Sequence, residues 1–301
     1  MSIESIHTEK RIFYPSEKSS KNARVSDLAK YNELCENFKK DYLGTWGELA
    51  KELLIWDKPF SNILDDKTPP FFKWFEDGKL NASYNCLDNH ANSNPNKTAI
   101  IFEADDGQVT TITYLQLLKR VCQFSNGLKT LKLDIGDRVI IYLPMGIEAV
   151  VAMQACARLG LTHSVVFGGF SAKSLQERIS DTKAKLVITS DGQFRGGKTI
   201  PLKKAIDDAI DMGGCESVEK VIVFKRTNQP FVKNDRDIMW ENLIDNQSDE
   251  CPVVSVPAEH PLFILYTSGS TGKPKGVQHS TAGYLLHAIN TCRLTFDLHD
   301  N

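Results

Sequence analysis

An apolar segment followed by a loop of glycines, hydroxyl residues and lysines constrains this sequence more than any other feature. Residues 262–266 predict a buried strand, and residues 267–276 read Thr-Ser-Gly-Ser-Thr-Gly-Lys-Pro-Lys-Gly. Small residues let backbone N–H groups approach a ligand, while hydroxyls and lysines add donors and positive charge. After the loop, we expect Ser280 or Thr281 to cap a helix that continues through Ile289. A strand, a cationic loop and a helix in this order predict a polyphosphate site.

The loop differs from the Walker A motif in its spacing. Gly269 lies only three residues before Gly272, and Pro274 follows Lys273 where Ser or Thr should stand. An unrelated P-loop kinase is therefore disfavoured. The alternative, a surface loop with stray lysines, fits poorly with ten consecutive residues of this chemistry behind an apolar strand. The candidate phosphate-binding residues are Thr267, Ser268, Gly269, Ser270, Thr271, Gly272, Lys273, Lys275 and Gly276.

Length and composition predict an ordinary globular protein. The 301 residues, 41% hydrophobic and 25% charged, suit one large or two modest domains. A net charge of -2 gives no general attraction to nucleic acid or anionic membranes, so neither is an expected partner. Seven scattered cysteines without a Cys-x-x-Cys pair, and an N-terminus without a secretory pattern, favour a cytoplasmic location. The dispersed histidines predict no protein metal site.

Residues 97–224 alternate between strand and helix patterns. Strands are expected at 98–104, 109–113, 138–143, 163–167, 185–189 and 220–224, and helices at 147–159, 172–181 and 202–210. Thr113 and Gln116 have the spacing of a capping box for one further helix. This alternation predicts βαβ units and a mainly parallel sheet of the α/β class. The polar stretch 225–259 predicts irregular structure.

The N-terminal region has a different pattern. Residues 1–25 are polar and predict a flexible segment. Amphipathic helices are expected from Ser26 to about Tyr42 and from Trp46 to Trp56. The aromatic residues concentrated in 68–81 are more typical of core packing than of a ligand cage.

Two glycine pairs follow predicted strands. Phe167-Gly-Gly-Phe-Ser171 predicts a tight turn into a helix capped by Ser171. Arg195-Gly-Gly-Lys198 lies at the predicted carboxyl edge of the sheet, where two cations and close backbone approach suit a phosphate. From these four residues alone, a solvated glycine turn is the simpler interpretation.

His279 is the histidine nearest the predicted phosphate loop. We interpret it as a local structural or nucleotide-shaping residue in preference to a general base. Gly-x-Ser-x-Gly does not occur around Ser268 or Ser270, so an esterase nucleophile is not supported.

Several of these motifs resemble the adenylate-forming enzymes, a superfamily of acyl-CoA synthetases, adenylation domains and luciferases. Residues 266–276, Tyr-Thr-Ser-Gly-Ser-Thr-Gly-Lys-Pro-Lys-Gly, are similar to its phosphate-binding signature. Within it, the sequence most resembles the AMP-forming acetyl-CoA synthetases. The segments that carry this resemblance are 74–81 with 85–88, 154–160, 167–171 and 195–204.

The resemblance implies an α/β fold: a partial adenylate-forming large domain over 91–301, preceded by a helical N-terminal extension over 26–90. It implies acetate–CoA ligase activity through acetyl-adenylate, with ATP and CoA as substrates and Mg²⁺ as cofactor. Lys273 and Lys275 would be the charge partners of the ATP β- and γ-phosphates. Residues Arg195, Gly196, Gly197 and Lys198 would contact the nucleotide part of CoA.

The sequence departs from this family after the phosphate loop. It contains no Tyr-Gly-x-Thr-Glu element, ribose-binding aspartate, hinge or small domain with an adenylation lysine. The resemblance therefore predicts an N-terminal half that is inactive alone, with no catalytic residue or Mg²⁺ ligand of its own and with exposed apolar surface. Propionate–CoA ligase and a truncated, non-catalytic nucleotide- or CoA-binding module remain alternatives. Acyl preference and oligomeric state stay open.

Overall fold

The structure is a computed structural model that describes residues 12–267 and 274–299. Its helices are α1 (Glu17–Asn22), α2 (Leu28–Lys40), α3 (Tyr42–Leu53), α4 (Asn89–Ser93), α5 (Tyr114–Lys129), α6 (Ile147–Arg158), α7 (Ala172–Thr182), α8 (Leu202–Asp211), α9 (Trp240–Ile244) and α10 (Thr281–Leu294). Its strands are β1 (Trp56–Lys58), β2 (Leu64–Asp65), β3 (Lys73–Trp74), β4 (Lys79–Leu80), β5 (Thr98–Glu103), β6 (Val109–Thr113), β7 (Arg138–Tyr142), β8 (Thr162–Val165), β9 (Leu186–Ser190), β10 (Gln193–Arg195), β11 (Lys198–Ile200), β12 (Lys220–Phe224), β13 (Asp237–Met239), β14 (Val256–Pro257), β15 (Pro261–Thr267) and β16 (Lys275–Ser280). One π-helical turn, Tyr84–Asp88, precedes α4.

A seven-stranded sheet in the order β13-β12-β9-β7-β8-β15-β16 forms the centre of the fold. Every pair in it is parallel except β15–β16. Strand β7 alternates between the two faces: Val139 and Ile141 pack with α5 and α6, while Ile140 and Tyr142 pack with α7 and α8. Helices on both faces bury the central strands β7 and β9 almost completely, which explains their near-continuous apolar sequences. The predicted α/β class is confirmed.

Most predicted strands and helices of residues 97–224 are within two residues of the observed bounds. The capping box of α5 is present, since the Thr113 hydroxyl accepts from Gln116 N and the Gln116 side chain accepts from Thr113 N. The irregular structure predicted for 225–259 is wrong in part, because β13, α9 and β14 lie there. Trp240 of α9 is buried and stacks on Phe124 at 3.9 Å between ring centroids. These elements are too short to show a hydrophobic period.

The predicted N-terminal helices exist with different bounds. Asp41 has an extended φ of -148° and ends α2, and its carboxylate caps α3 by accepting from Gly44 N at 2.8 Å. The second helix therefore begins at Tyr42, before the expected Trp46, and Trp56 lies in β1. Within the stretch expected to be flexible, residues 17–22 form α1, and residues 1–11 lie outside the described part.

The N-terminal segment packs against β15 and α10. Its buried Phe60, Phe75 and Leu80 form one apolar cluster with residues of those elements, including Leu262 and Leu285. The predicted packing role of the aromatic run is confirmed for Phe75, which is 1% exposed. Earlier in the same run, the Phe71 and Phe72 side chains are exposed.

The buried His163 on β8 makes stability dependent on pH. Burial lowers the pKa of His163 to about 4, below its ordinary value of 6.5. The unfolded chain therefore takes up this proton first, so stability is complete above pH 7 and falls as the pH drops towards 4. Between pH 7 and pH 5, His163 should lower the free energy of unfolding by about 2 kcal/mol, and we expect His163→Phe to remove this decrease. Urea unfolding at both pH values measures this, and an unchanged pH dependence would contradict it.

Candidate functional site

A cavity of about 470 Å³ lies at the carboxyl ends of the parallel strands. Segments that follow β7, β8, β9 and β12 line it, together with the β5–β6 turn and part of β15. This is the edge where open α/β sheets bind ligands. The lining residues include Phe167, Gly168, Arg195, Arg226 and Leu265.

The predicted Arg195-Gly-Gly-Lys198 loop is the turn of the β10–β11 hairpin. Gly196 and Gly197 have φ values of +56° and +73°, so both central residues are left-handed, as a type I′ turn requires. Arg195 and Lys198 pair across the hairpin and are both exposed. The turn therefore presents two cations beside two residues that lack side chains.

The hairpin contacts the other predicted glycine turn. The Arg195 guanidinium carbon lies 5.1 Å from the centroid of the Phe167 ring, within the range of a cation–π interaction. Gly169 has a φ of +101°, a conformation that favours glycine. Ser171 caps α7 by accepting from Ser174 N at 3.3 Å, as predicted.

Tyr142, at the end of β7, holds this glycine turn. Its hydroxyl accepts from Gly169 N and donates to Phe170 O, each at 3.0 Å. Burial raises the pKa of the Tyr142 phenol, so the hydroxyl remains a donor at neutral pH. No local sequence pattern indicates this role, because the partners are 27 and 28 residues away.

Asp191, directly after β9, places a second arginine on the cavity. Its buried carboxylate accepts from the backbone N–H groups of Gly192, Arg226 and Thr227 at 2.7, 2.8 and 3.0 Å. These bonds join the segments after β9 and β12. The Arg226 guanidinium then lies 5.4 Å from the Phe102 ring centroid on the cavity wall. An acidic residue between a buried strand and a glycine is the one sequence signal for this arrangement.

Two guanidinium groups therefore line one cavity, which suits a phosphorylated ligand. Leu265 lines the same cavity and lies on β15, two residues before Thr267. Thus the cavity beside the Arg195 hairpin extends to the strand that leads into the predicted phosphate loop. The described ends of the predicted phosphate loop, Thr267 and Lys275, lie at the same edge of the sheet as this cavity.

The predicted phosphate loop is described only at its ends. Residues 268–273 lie outside the described part of the chain, and with them the predicted Ser268, Gly269, Ser270, Thr271, Gly272 and Lys273. Thr267 ends β15 and pairs with Lys275. Lys275 and Gly276 belong to β16, so the expected order of strand, loop and helix is corrected: a second strand precedes α10. Being largely exposed, β16 lacks an apolar pattern.

The residues after the loop have structural contacts. The His279 ring stacks on Phe263 at 4.5 Å between centroids and meets Tyr284 edge-on at 5.6 Å. This packing agrees with the local structural interpretation of His279. Ser280 is the N-cap residue of α10 but makes no side-chain capping bond, while the Thr281 hydroxyl donates to His260 O at 2.8 Å.

Over residues 12–267 and 274–299, no group of three or more His, Cys, Asp or Glu side chains has a metal-binding arrangement. No helix in those ranges is long and apolar enough to cross a membrane. All seven cysteines are free.

Two regions of the chain match known protein families. Residues 87–301 match the family of AMP-binding enzymes, and residues 31–86 match the acetyl-coenzyme A synthetase N-terminus. The domain boundaries proposed from sequence, at 25 and 90, remain a prediction.

Two relatives with similar sequences are both named acetyl-coenzyme A synthetase. The acetyl-coenzyme A synthetase of Chromobacterium violaceum is 57% identical over 300 residues, covering 99% of this chain and 46% of its own length. That of Methylobacillus flagellatus is 58% identical over 297 residues, covering 98% of this chain and 45% of its own. The chain thus spans about half the length of these relatives. A solved acetoacetyl-CoA synthetase from Streptomyces lividans superposes with a TM-score of 0.80 at 26% identity, over 86% of this chain and 39% of the other.

Proposed function

Since the chain belongs to the family of AMP-binding enzymes, we propose that the full-length protein is an acetate–CoA ligase. It joins acetate to CoA and converts ATP to AMP and pyrophosphate, with acetyl-adenylate as the intermediate. The observation that carries this proposal is 57% identity to an acetyl-coenzyme A synthetase over 99% of the chain. The match of residues 31–86 to the N-terminus of such synthetases supports it.

In the first step, a carboxylate oxygen of acetate attacks the α-phosphorus of ATP, and pyrophosphate leaves. Negative charge builds up on the leaving phosphate oxygens, so donors and cations fixed around them lower the barrier. We assign this role to residues 267–276, with Lys273 and Lys275 as charge partners. Mg²⁺, when bound, would neutralise phosphate charge, and we assign it no ligand within this chain.

In the second step, the CoA thiolate attacks the acetyl carbonyl carbon, and AMP leaves. We assign Arg195 and Lys198 to the phosphates of the CoA nucleotide, because they stand together at the end of the β10–β11 hairpin. The left-handed Gly196 and Gly197 leave space for a phosphate to approach the backbone. This chain's residues would thus bind and orient CoA, and we assign the adenylation lysine to another part of the full-length protein.

Substrate choice tests the proposal. AMP formation by the full-length protein is to be measured with acetate, propionate and no acid, each with and without CoA. Preference for acetate supports the proposal, and preference for propionate selects propionate–CoA ligase. If neither acid increases AMP formation while the protein still binds CoA, the result favours a non-catalytic binding module. We expect the 301-residue chain alone to form no AMP.

Replacing Arg195 of the β10–β11 hairpin should impair the step that uses CoA and leave the adenylation step unchanged. We expect Arg195→Ala to raise the KM for CoA by about 10-fold, because a charge-assisted bond to phosphate is lost. Acetate-dependent exchange of pyrophosphate into ATP needs no CoA and should change little. The control is Lys220→Ala, which removes an exposed lysine where β12 begins, at the opposite edge of the sheet. An unchanged KM for CoA would contradict the assignment of Arg195.

A further inference from the structure

Arg178 on α7 lies close to two aromatic rings, one on each of the segments next to the two candidate sites. Its guanidinium carbon is 5.1 Å from the ring centroid of Phe170 and 5.1 Å from that of Tyr266. Phe170 belongs to the glycine turn whose Phe167 and Gly168 line the cavity. Tyr266 lies on β15, one residue before its end at Thr267. One buried side chain therefore contacts both the turn beside the Arg195 hairpin and the strand that leads into the phosphate loop.

Tyr266 has two further contacts that fix its ring. Its hydroxyl donates to the Asp181 carboxylate, which lies three residues after Arg178 on the same face of α7. Its ring lies opposite Gly276, where an added Cβ would be 3.3 Å from the Tyr266 Cζ. Gly276 therefore provides the space for the tyrosine ring across the two strands.

Burying an arginine at this position costs more free energy than burying an apolar side chain. Arg178 is 7% exposed, and burial lowers the pKa of its guanidinium, which reflects the cost of removing the charge from water. Its Nη1 donates to Ser174 O at 2.7 Å, one turn earlier in α7. An aliphatic side chain would fill the same space without that cost. A flat cation close to two rings from separate segments instead holds those segments at a defined distance.

We propose that Arg178 and Asp181 are positioning residues that hold the ends of β15 and β16 through Tyr266 and join them to the CoA-side turn through Phe170. This inference rests on the proposed function, because it assigns the two segments to ATP and CoA. Helix α7 is then the element that sets the geometry of both half-reactions. Neither residue touches a reacting atom.

A double-mutant cycle on Tyr266 and Asp181 tests the hydrogen bond. In the full-length protein, we expect Tyr266→Phe and Asp181→Ala each to raise the KM for ATP in acetate-dependent exchange by about 10-fold. The double variant should be no worse than either single variant, because both remove one interaction. Effects that multiply in the double variant, or unchanged KM values, would overturn the proposal. Glu177→Ala is the control, since that α7 carboxylate pairs only weakly, at 3.8 Å, with the exposed Lys173.

Substitution of Arg178 tests the link between the two sites. Arg178→Lys keeps the charge but loses the flat surface, so we expect KM to rise at least about 5-fold for both ATP and CoA. Tyr266→Phe should raise the KM for ATP alone, since its ring remains beside Arg178. A change confined to one substrate in Arg178→Lys would overturn the link.

Amide hydrogen exchange tests, without an activity measurement, whether Tyr266 and Asp181 stabilise β15 and β16. Exchange in peptides covering 261–267 and 274–280 should be faster in Tyr266→Phe and Asp181→Ala than in the wild type and Glu177→Ala. Equal exchange in all four proteins would overturn the positioning role. If the wild-type protein shows no acetate-dependent exchange of pyrophosphate, the proposed function fails, and the amide measurement still tests the contacts of α7.

Discussion

Replacing Lys275 with alanine in the full-length protein is expected to slow acetate-dependent exchange of pyrophosphate into ATP by about 100-fold. Lys275 is exposed at the start of β16 and pairs with Thr267, so its backbone is fixed next to the loop. Its ammonium group would face charge that develops on pyrophosphate as it leaves. Because that charge is larger in the transition state than in bound ATP, the effect should appear mainly in kcat. Lys273→Ala should act in the same direction.

Two controls accompany this prediction. Lys275→Arg keeps the positive charge and should retain more exchange activity than Lys275→Ala. Lys220→Ala removes a lysine from the opposite edge of the sheet and should have no effect. Thermal unfolding should be unchanged in the Lys275 variants and in Lys220→Ala, because both side chains are exposed. Unchanged exchange in both Lys273→Ala and Lys275→Ala would contradict the assignment of the loop to ATP phosphates.

The core of the fold was predictable because its strands and helices carry local signals. The β12 and β6 strands have the predicted bounds, since β6 consists of β-branched residues and β12 has three β-branched residues and a phenylalanine after Lys220. Helix α5 has both an apolar stripe and a capping box. The sequence of β16, Lys-Gly-Val-Gln-His-Ser, carries no such signal, because this strand pairs at the exposed edge of the sheet. Residues 275–280 form a strand because they pair with β15, and such pairing cannot be predicted from their own sequence.

The candidate site was predictable in its chemistry but not in its supports. The resemblance to acetyl-CoA synthetases indicated Arg195 and Lys198 as CoA contacts, whereas the four residues alone favoured a solvated glycine turn, and the type I′ hairpin was not expected. Asp191, Tyr142 and Arg178 were missed, because each acts on backbone or rings from other strands and loops. Tyr266 and Asp181 are 85 residues apart, for example, and no spacing within the sequence reports their contact.

Two neighbouring lysines on α8 also differ in a way that their sequence does not predict. In the sequence, Lys203 and Lys204 look like one solvated basic pair, each with an aspartate four residues later. In the structure, Lys204 is 68% exposed and pairs with Asp208, whereas Lys203 is completely buried. The Lys203 ammonium lies 2.6 Å from Asp207 and 2.9 Å from Asp237, whose carboxylate is also fully buried. The pair with Asp237 attaches α8, which follows the β10–β11 hairpin, to the edge strand β13.

Loss of the Lys203 ammonium should therefore destabilise the protein strongly. We expect Lys203→Met to lower the free energy of unfolding by about 3–5 kcal/mol, because it leaves the Asp237 carboxylate buried without its cation. The matched change Lys204→Met should cause no measurable loss, since exposed ion pairs contribute little. Thermal and urea unfolding of the two variants measure the difference.

A second substitution identifies the cause of that loss. Asp237 Oδ1 is buried without a hydrogen-bond partner, while Oδ2 accepts from Lys203 and from Asn234 N at 2.8 Å. Adding Asp237→Asn to Lys203→Met removes the unpaired charge and should recover part of the lost stability. If the loss reflected only the packing of the lysine stem, the double variant would be no more stable than Lys203→Met. Equal stability of Lys203→Met and Lys204→Met would contradict the ionic role altogether, because burial is the main difference between these neighbouring lysines.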